Sequence, residues 1–140
     1  MPASLPDPAM QRFLSQKEVA ILSTLQKDGA PLAMPMWFLA DSECLYMLSI
    51  AQTQKVRNLR RDPRLCVVVE HGARGTEVRG VSIQGRAEFI ERAEDTQPIV
   101  ARMLRKYDPH LRTLWGGTTM PPNRVLWRII PTHVHSWGLS

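Results

Sequence analysis

The chain has 140 residues, 44% hydrophobic and 22% charged, with a net charge of +5; that length is most simply one domain over residues 1–140, large enough for a core but still short of surface to bury. No apolar run approaches the roughly 18 residues of a membrane span, and Met1-Pro-Ala-Ser-Leu-Pro-Asp-Pro8 has no basic region followed by an apolar core, so the reading is a cytoplasmic protein with no membrane partner. The positive balance favours anionic ligands in general: phosphate cofactors, nucleic acid and anionic lipid all qualify.

Asp7-Pro8 followed by Ala9, Met10, Phe13 and Leu14 supplies a cap, a first-turn proline and one apolar face, predicting a helix over about 8–17 that covers an open end of a barrel. Residues 19–25 are β-prone and stop at Lys27-Asp28-Gly29, a strong hairpin signal, after which a second strand spans about 31–39. The polar turn Asp41-Ser42-Glu43 leads to a third strand at 44–50, so the first fifty residues read as an antiparallel meander. A short basic helix then begins near Gln54, and Asp62-Pro63 ends it because the residue before proline is pushed out of the helical region. Leu65 to Glu70 starts a fourth strand, and Val78 to Ile90 is long enough for a bent strand with Gly80 and Gly85 as bulge sites. Ile99, Val100, Met103, Leu104 and Tyr107 recur at helical spacing and predict an amphipathic helix over 97–107. The segment Asp108 to Asn123 reads as a long irregular loop of the kind that is functional or packs on another subunit. Val125 to Ile130 and His133 to Trp137 close the chain as two strands joined across Pro131-Thr132. Six or seven strands around few helices suggest a single β-barrel. Cys44 and Cys66 stand alone in apolar β-type segments and read as reduced core thiols.

The chemistry concentrates in residues 46–64, where an apolar strand runs through Ser49 and Thr53 into Lys55-Val-Arg-Asn-Leu-Arg-Arg. Hydroxyl donors, the unpartnered first N–H groups of a helix and two cations make a phosphate site. Arg57, Arg60, Arg61 and Arg64 fall at i, i+3, i+4 and i+7 and line one face, which is usually solvated or paired. Lys55 and Arg57 converge only where the chain is still turning into the helix, and they are preferred as ligand contacts. Pro35 lies inside the otherwise strand-like 32–39, so that strand exposes an edge there. Open backbone groups beside Met34, Met36 and Trp37 suit a flat heteroaromatic ring; the plainer alternative is an edge strand with a core tryptophan. His133 and His135 share a strand face without a third ligand at metal spacing. With 6% aromatic residues and no stacking platform among Arg57 to Arg64, nucleic acid is not the expected partner. Neither a nucleophile motif nor paired carboxylates occur, so any enzymatic chemistry belongs to a cofactor.

The order of strand, Asp-Gly turn, Met34-Pro35-Met36-Trp37-Phe38, Ser49 and Lys55-Val-Arg-Asn-Leu-Arg-Arg-Asp-Pro-Arg64, with Gly85-Arg-Ala-Glu88, Arg124-Val-Leu-Trp-Arg128 and His135-Ser-Trp-Gly138, resembles the pyridoxamine 5'-phosphate oxidase-like family. Within it the basic run is most similar to the flavin/deazaflavin oxidoreductase branch. The resemblance implies an antiparallel split β-barrel, mainly β with short helices, working as a homodimer with cofactor sites at the subunit interface. It implies FMN, or alternatively the deazaflavin coenzyme F420, and transfer of hydride or electrons to a small organic acceptor. Carried over by position, Lys55 and Arg57 would hold the phosphate, with Leu48, Ser49, Thr53 and Gln54 around it. Met34, Pro35, Met36 and Trp37 would line the ring, and Gln84 or Trp127 of a partner would close the site. Ala33 stands where the vitamin-synthesising oxidases carry an arginine, and no arginine and histidine pattern follows Trp137, so a vitamin B6 oxidase is not implied. A cofactor or tetrapyrrole-binding module without turnover is the alternative on the same fold.

Overall fold

A computed structural model describes residues 4–139, so the first three residues of the N-terminal stretch read for a targeting signal lie outside the described residues. The elements are α1 (Pro8–Ser15), β1 (Val19–Leu25), β2 (Pro31–Trp37), β3 (Leu39–Ala40), β4 (Leu45–Ile50), α2 (Gln54–Arg61), β5 (Arg64–His71), a single 3-10 turn (Gly75–Glu77), β6 (Arg79–Ile90), α3 (Ala93–Lys106), α4 (His110–Trp115) and β7 (Arg124–Trp137). The seven strands form one antiparallel sheet in the order β2-β1-β5-β6-β7-β4-β3, curled into a split barrel. Among the described residues no helix is long and apolar enough to cross a membrane.

Strict alternation makes the barrel wall. On β1, Ala20, Leu22 and Thr24 are buried while Val19 and Ile21 face outward, as a period of two requires for a sheet with one covered face. The hairpin between β1 and β2 turns at Gly29, whose φ of +88° lies in the left-handed region, and the Ala30 N–H donates to Asp28 Oδ1 at 3.0 Å.

The expected meander is overturned after β2. The chain passes from β2, at one end of the sheet, to β3 at the other end across the single residue Phe38. β2 and β4 therefore face each other across the split instead of exchanging ladder bonds. Phe38 is wholly buried, and the end of α3 satisfies its backbone: the Phe38 N–H donates to Tyr107 Oη at 2.8 Å and its carbonyl accepts from Lys106 Nζ at 2.9 Å.

Three further expectations are corrected. Helix α3 starts at Ala93, with Glu94 and Asp95 in its first turn and Pro98 inside it; acidic residues there complement the N-terminal partial charge and support the earlier start. Segment 108–123 contains α4, stopped by Gly116 at φ +71°, and its Leu111, Leu114 and Trp115 repeat at i, i+3 and i+4. The last two strands are one, with the register shifting opposite Gln84 and Gly85; Thr132 is the extra residue, and Pro131 sits at the bulge, where a missing N–H is tolerated. Gly85 lies so close to the Ile130 carbonyl that a Cβ would collide with it.

The main core fills the barrel with Leu22, Phe38, Met47, Val67, Ile83 and Trp127 among others, and α1 adds Met10, Phe13 and Leu14. Helix α2 contributes Val56 and Leu59 to the same cluster, each buried side chain worth about 1.5–3 kcal/mol. A second cluster, including Tyr46, Ile99, Met103, Tyr107 and Leu111, fastens α3 and α4 to the outside of the barrel beside the split.

Candidate functional site

The split carries a cavity of about 250 Å³. Pro35, Met36 and Trp37 of β2 line one side, and Leu48, Ser49 and Ile50 of β4 the other. As the terminal strand of the sheet, β2 has one unpaired edge, the arrangement Pro35 demands. Met34 sits on the same strand opposite Leu22, outside the cavity lining. Helices α3 and α4 close the outer side with Met103, Tyr107, Leu111, Leu114 and Trp115. The Trp37 ring lies flat on Tyr107, with centroids 4.5 Å apart and planes 4° from parallel. Burial pushes the Tyr107 hydroxyl up to about 12, so it stays protonated and lies 2.6 Å from the Glu18 carbonyl.

Directly after Ile50 comes the basic turn. The Ala51 N–H donates to the Asn123 carbonyl at 2.8 Å, which docks the turn against the start of β7. The Thr53 hydroxyl donates to the Ile50 carbonyl at 3.0 Å and does not cap α2, so the first N–H groups of the helix keep no capping side chain. Lys55, in that first turn, is half-buried. Burial pulls its ammonium below the usual lysine range, and among the described residues it has neither an ion pair nor a side-chain hydrogen bond. A partly desolvated cation without a counter-charge is costly alone and favours an anionic ligand.

Arg57 lies within the regular helix yet reaches back to the turn, donating to the Gln52 carbonyl and to Gln54 Oε1, both at 2.9 Å. Its convergence on the turn thus comes from a long side chain and not from irregular backbone. Gln54 donates in turn to Asn58 Oδ1 at 2.8 Å, and Asn58, wholly buried, donates to Thr24 Oγ1 at 3.0 Å. That relay pins α2 to β1. The other arginines are engaged elsewhere. Arg60 pairs with Glu91 at 3.0 Å and lies 3.7 Å over the Phe89 ring, Arg61 donates to the Leu25 carbonyl, and Arg64, beyond the end of the helix in β5, pairs with Asp62 at 2.7 Å.

Two expected contacts lie away from the split. Gln84 is exposed on the outer face of β6, in a separate hollow of about 430 Å³ with Cys66, Arg64 and His133. Trp127 is wholly buried and packs on Phe89 at 5.9 Å. It presents no surface to a partner subunit, and its expected role in closing the site is corrected to one in the core: on β7 it falls on the inward side of the alternation. Sequence reasoning missed Ile50, the α3–α4 wall and Arg124, which lines the cavity at the start of β7 opposite Ile50. The apolar spacing in α4 and its Gly116 stop were the available signals.

The donor set at the turn, the open strand edge and the apolar cavity fit a phosphorylated molecule with a flat ring. The sequence matches the profile described as Pyridoxamine 5'-phosphate oxidase over residues 6–138. The chain belongs to that family. Among solved structures, the conserved hypothetical protein Rv2991 of Mycobacterium tuberculosis is similar at 28% identity and TM-score 0.79, over 94% of this chain and 83% of that one. The haem storage protein HutZ of Vibrio cholerae matches at 17% identity and TM-score 0.81, over 99% and 98%. An FAD-binding protein of Mesorhizobium loti matches at 24% identity and TM-score 0.71, over 90% and 87%. The latter two establish shared fold alone, and members of one fold family host different ligands. No curated protein sequence matches this one.

Proposed function

We propose that this member of the pyridoxamine 5'-phosphate oxidase family binds FMN, with coenzyme F420 as the alternative, and passes hydride or electrons to a small organic acceptor. The observation that carries the reading is Lys55, a half-buried cation without a protein anion, one turn of chain from an apolar slot. Lys55, Arg57, the α2 amides and Ser49 hold the phosphate; Pro35 to Trp37 and Leu48 flank the ring. FMN is placed first because a phosphate monoester carries close to two negative charges, which Lys55 and Arg57 balance. Bound there, a flavin supplies reversible two-electron chemistry. The protein's part is to grip the anion, present a dry apolar wall and leave the β2 edge free to hydrogen-bond the rim of the ring. No side-chain acid or base is needed.

The outer sheet face supports a homodimer, because Val19, Ile21 and Trp137 expose 45%, 37% and 37% of their surface on the side of the sheet that also carries Gln84. A second copy packed there would bring Gln84 toward its partner's site. Ala33 on β2 in place of an arginine argues against a vitamin B6 oxidase, and the setting we propose is cytoplasmic. The test is an absorbance spectrum with mass spectrometry of ligand released from the purified protein. Flavin or deazaflavin is the expected result, and protein that neither carries nor takes up either one refutes the reading. A tetrapyrrole-binding module is the second reading, favoured by the fold match to the haem storage protein; a Soret band with no bleaching by a nicotinamide donor would select it.

A further inference from the structure

Arg124 stands at the first position of β7, opposite Ile50, and lines the polar end of the split cavity. It is half-buried. Its hydrogen-bond partner is the Asn123 side chain next to it, and it takes part in none of the ion pairs among the described residues. Arg128, two periods of the alternation along the same strand, has Glu88 at 3.5 Å. The cavity wall contains no aspartate or glutamate. Its remaining polar side chain is Ser49 beside a tyrosine whose hydroxyl is spent on the Phe38 and Glu18 backbone.

A single unneutralised guanidinium at the end of an apolar, tryptophan-walled slot has a specific complement. With the cofactor ring held between β2 and β4, the α3–α4 wall of the slot accepts a second flat apolar body against Leu114 and Trp115, and the planar fork of Arg124 matches a carboxylate in two parallel hydrogen bonds. Lys55 and Arg57 already balance a phosphate monoester, and neither lines this cavity, so the charge of Arg124 is left for a second anion. We propose that Arg124 is a specificity-determining residue that selects acceptors which are planar aromatic or conjugated carboxylates. The word acceptor rests on the cofactor reading above; the carboxylate preference of the slot does not.

The experiment compares 2-naphthoate with its neutral near-isostere 2-naphthamide, by calorimetry and by quenching of tryptophan fluorescence, in the FMN-loaded protein and its variants. In wild type the carboxylate binds at least tenfold more tightly than the amide. Arg124→Gln erases that gap, leaves naphthamide affinity unchanged and leaves FMN content unchanged. Leu114→Ala, at a side chain 71% exposed and free of core packing duties, weakens both probes equally. Equal affinities in wild type, a gap that survives Arg124→Gln, or a Leu114→Ala loss confined to the carboxylate overturns the proposal. Loss of FMN from Arg124→Gln also overturns it, by assigning the arginine to the phosphate grip. If wild type takes up no FMN, the cofactor reading fails by itself, and the naphthoate gap on the same protein still decides the role of Arg124.

Discussion

The two ends of the split are built by opposite means. The anion end is local: Ser49, Thr53, Lys55 and Arg57 lie within nine residues of chain, and the turn between them is held by its own backbone and neighbours. The apolar end is assembled from β2, β4, α3, α4 and β7, elements spread from residue 35 to residue 124. The difference teaches that charge for a ligand can be placed by a short stretch of sequence, whereas a wall for its flat body needs the whole topology in place. The anion end should therefore be removable without harm to the fold, and the apolar end should not.

The largest expected effect tests the first half of that statement. Replacing Lys55 and Arg57 together by alanine removes two charge-assisted contacts, each worth about 1.5–3 kcal/mol, and lowers FMN affinity at least a hundredfold in equilibrium titration. The melting temperature stays near that of wild type, because neither side chain packs in the core. Retained affinity would assign the phosphate elsewhere. At the apolar end, Tyr107→Phe deprives the buried Phe38 N–H of its acceptor and costs about 1–3 kcal/mol in denaturant unfolding; a neutral result would break the contrast. Asn58→Ala tests the relay that pins α2 to β1. It leaves the buried Thr24 hydroxyl without its partner and lowers stability by about 1 kcal/mol or more, with FMN affinity falling less than in the double variant.

The last test is a pH dependence. Burial drives Lys106 from its ordinary 10.5 down to about 8, so below about 8 the folded and unfolded chains hold the same proton. Between about 8 and 10.5 the unfolded chain holds more, and stability rises with pH across that window. Relative to Lys106→Met, wild-type denaturation midpoints should climb there and be flat below it. A fall with rising pH would mean that the ammonium is stabilised in the fold.

What the sequence made legible follows the same division. The basic turn into α2, the Asp-Gly hairpin and the edge position of Pro35 all arise from neighbours in the chain, and the family resemblance named the barrel. The break in the meander at Phe38 was not legible, because nothing in Trp37-Phe38-Leu39 distinguishes a continuing strand from a jump across the split between the two ends of the sheet. Trp127 was misread for a related reason: which face of β7 points inward depends on pairing with β4 and β6, and a shift of one residue reverses it. Helix α4, six residues long, hid inside a segment rich in Gly and Pro, since short helices gain most of their stability from tertiary packing. Arg124 entered the sequence reading only within the run Arg124 to Arg128, and it took the fold to place it on a cavity whose wall has no acid.

Phe38 has one more implication. By joining β2 to β3 in a single step, with its N–H and carbonyl clamped by Tyr107 and Lys106, it works as the pivot of a pair of tweezers whose arms are β2 and β4. The gap is narrow at the Trp37 end, and each arm is held along its outer side, β2 by β1 and β4 by β7. The width of the split is thus a property of one covalent joint and two ladders.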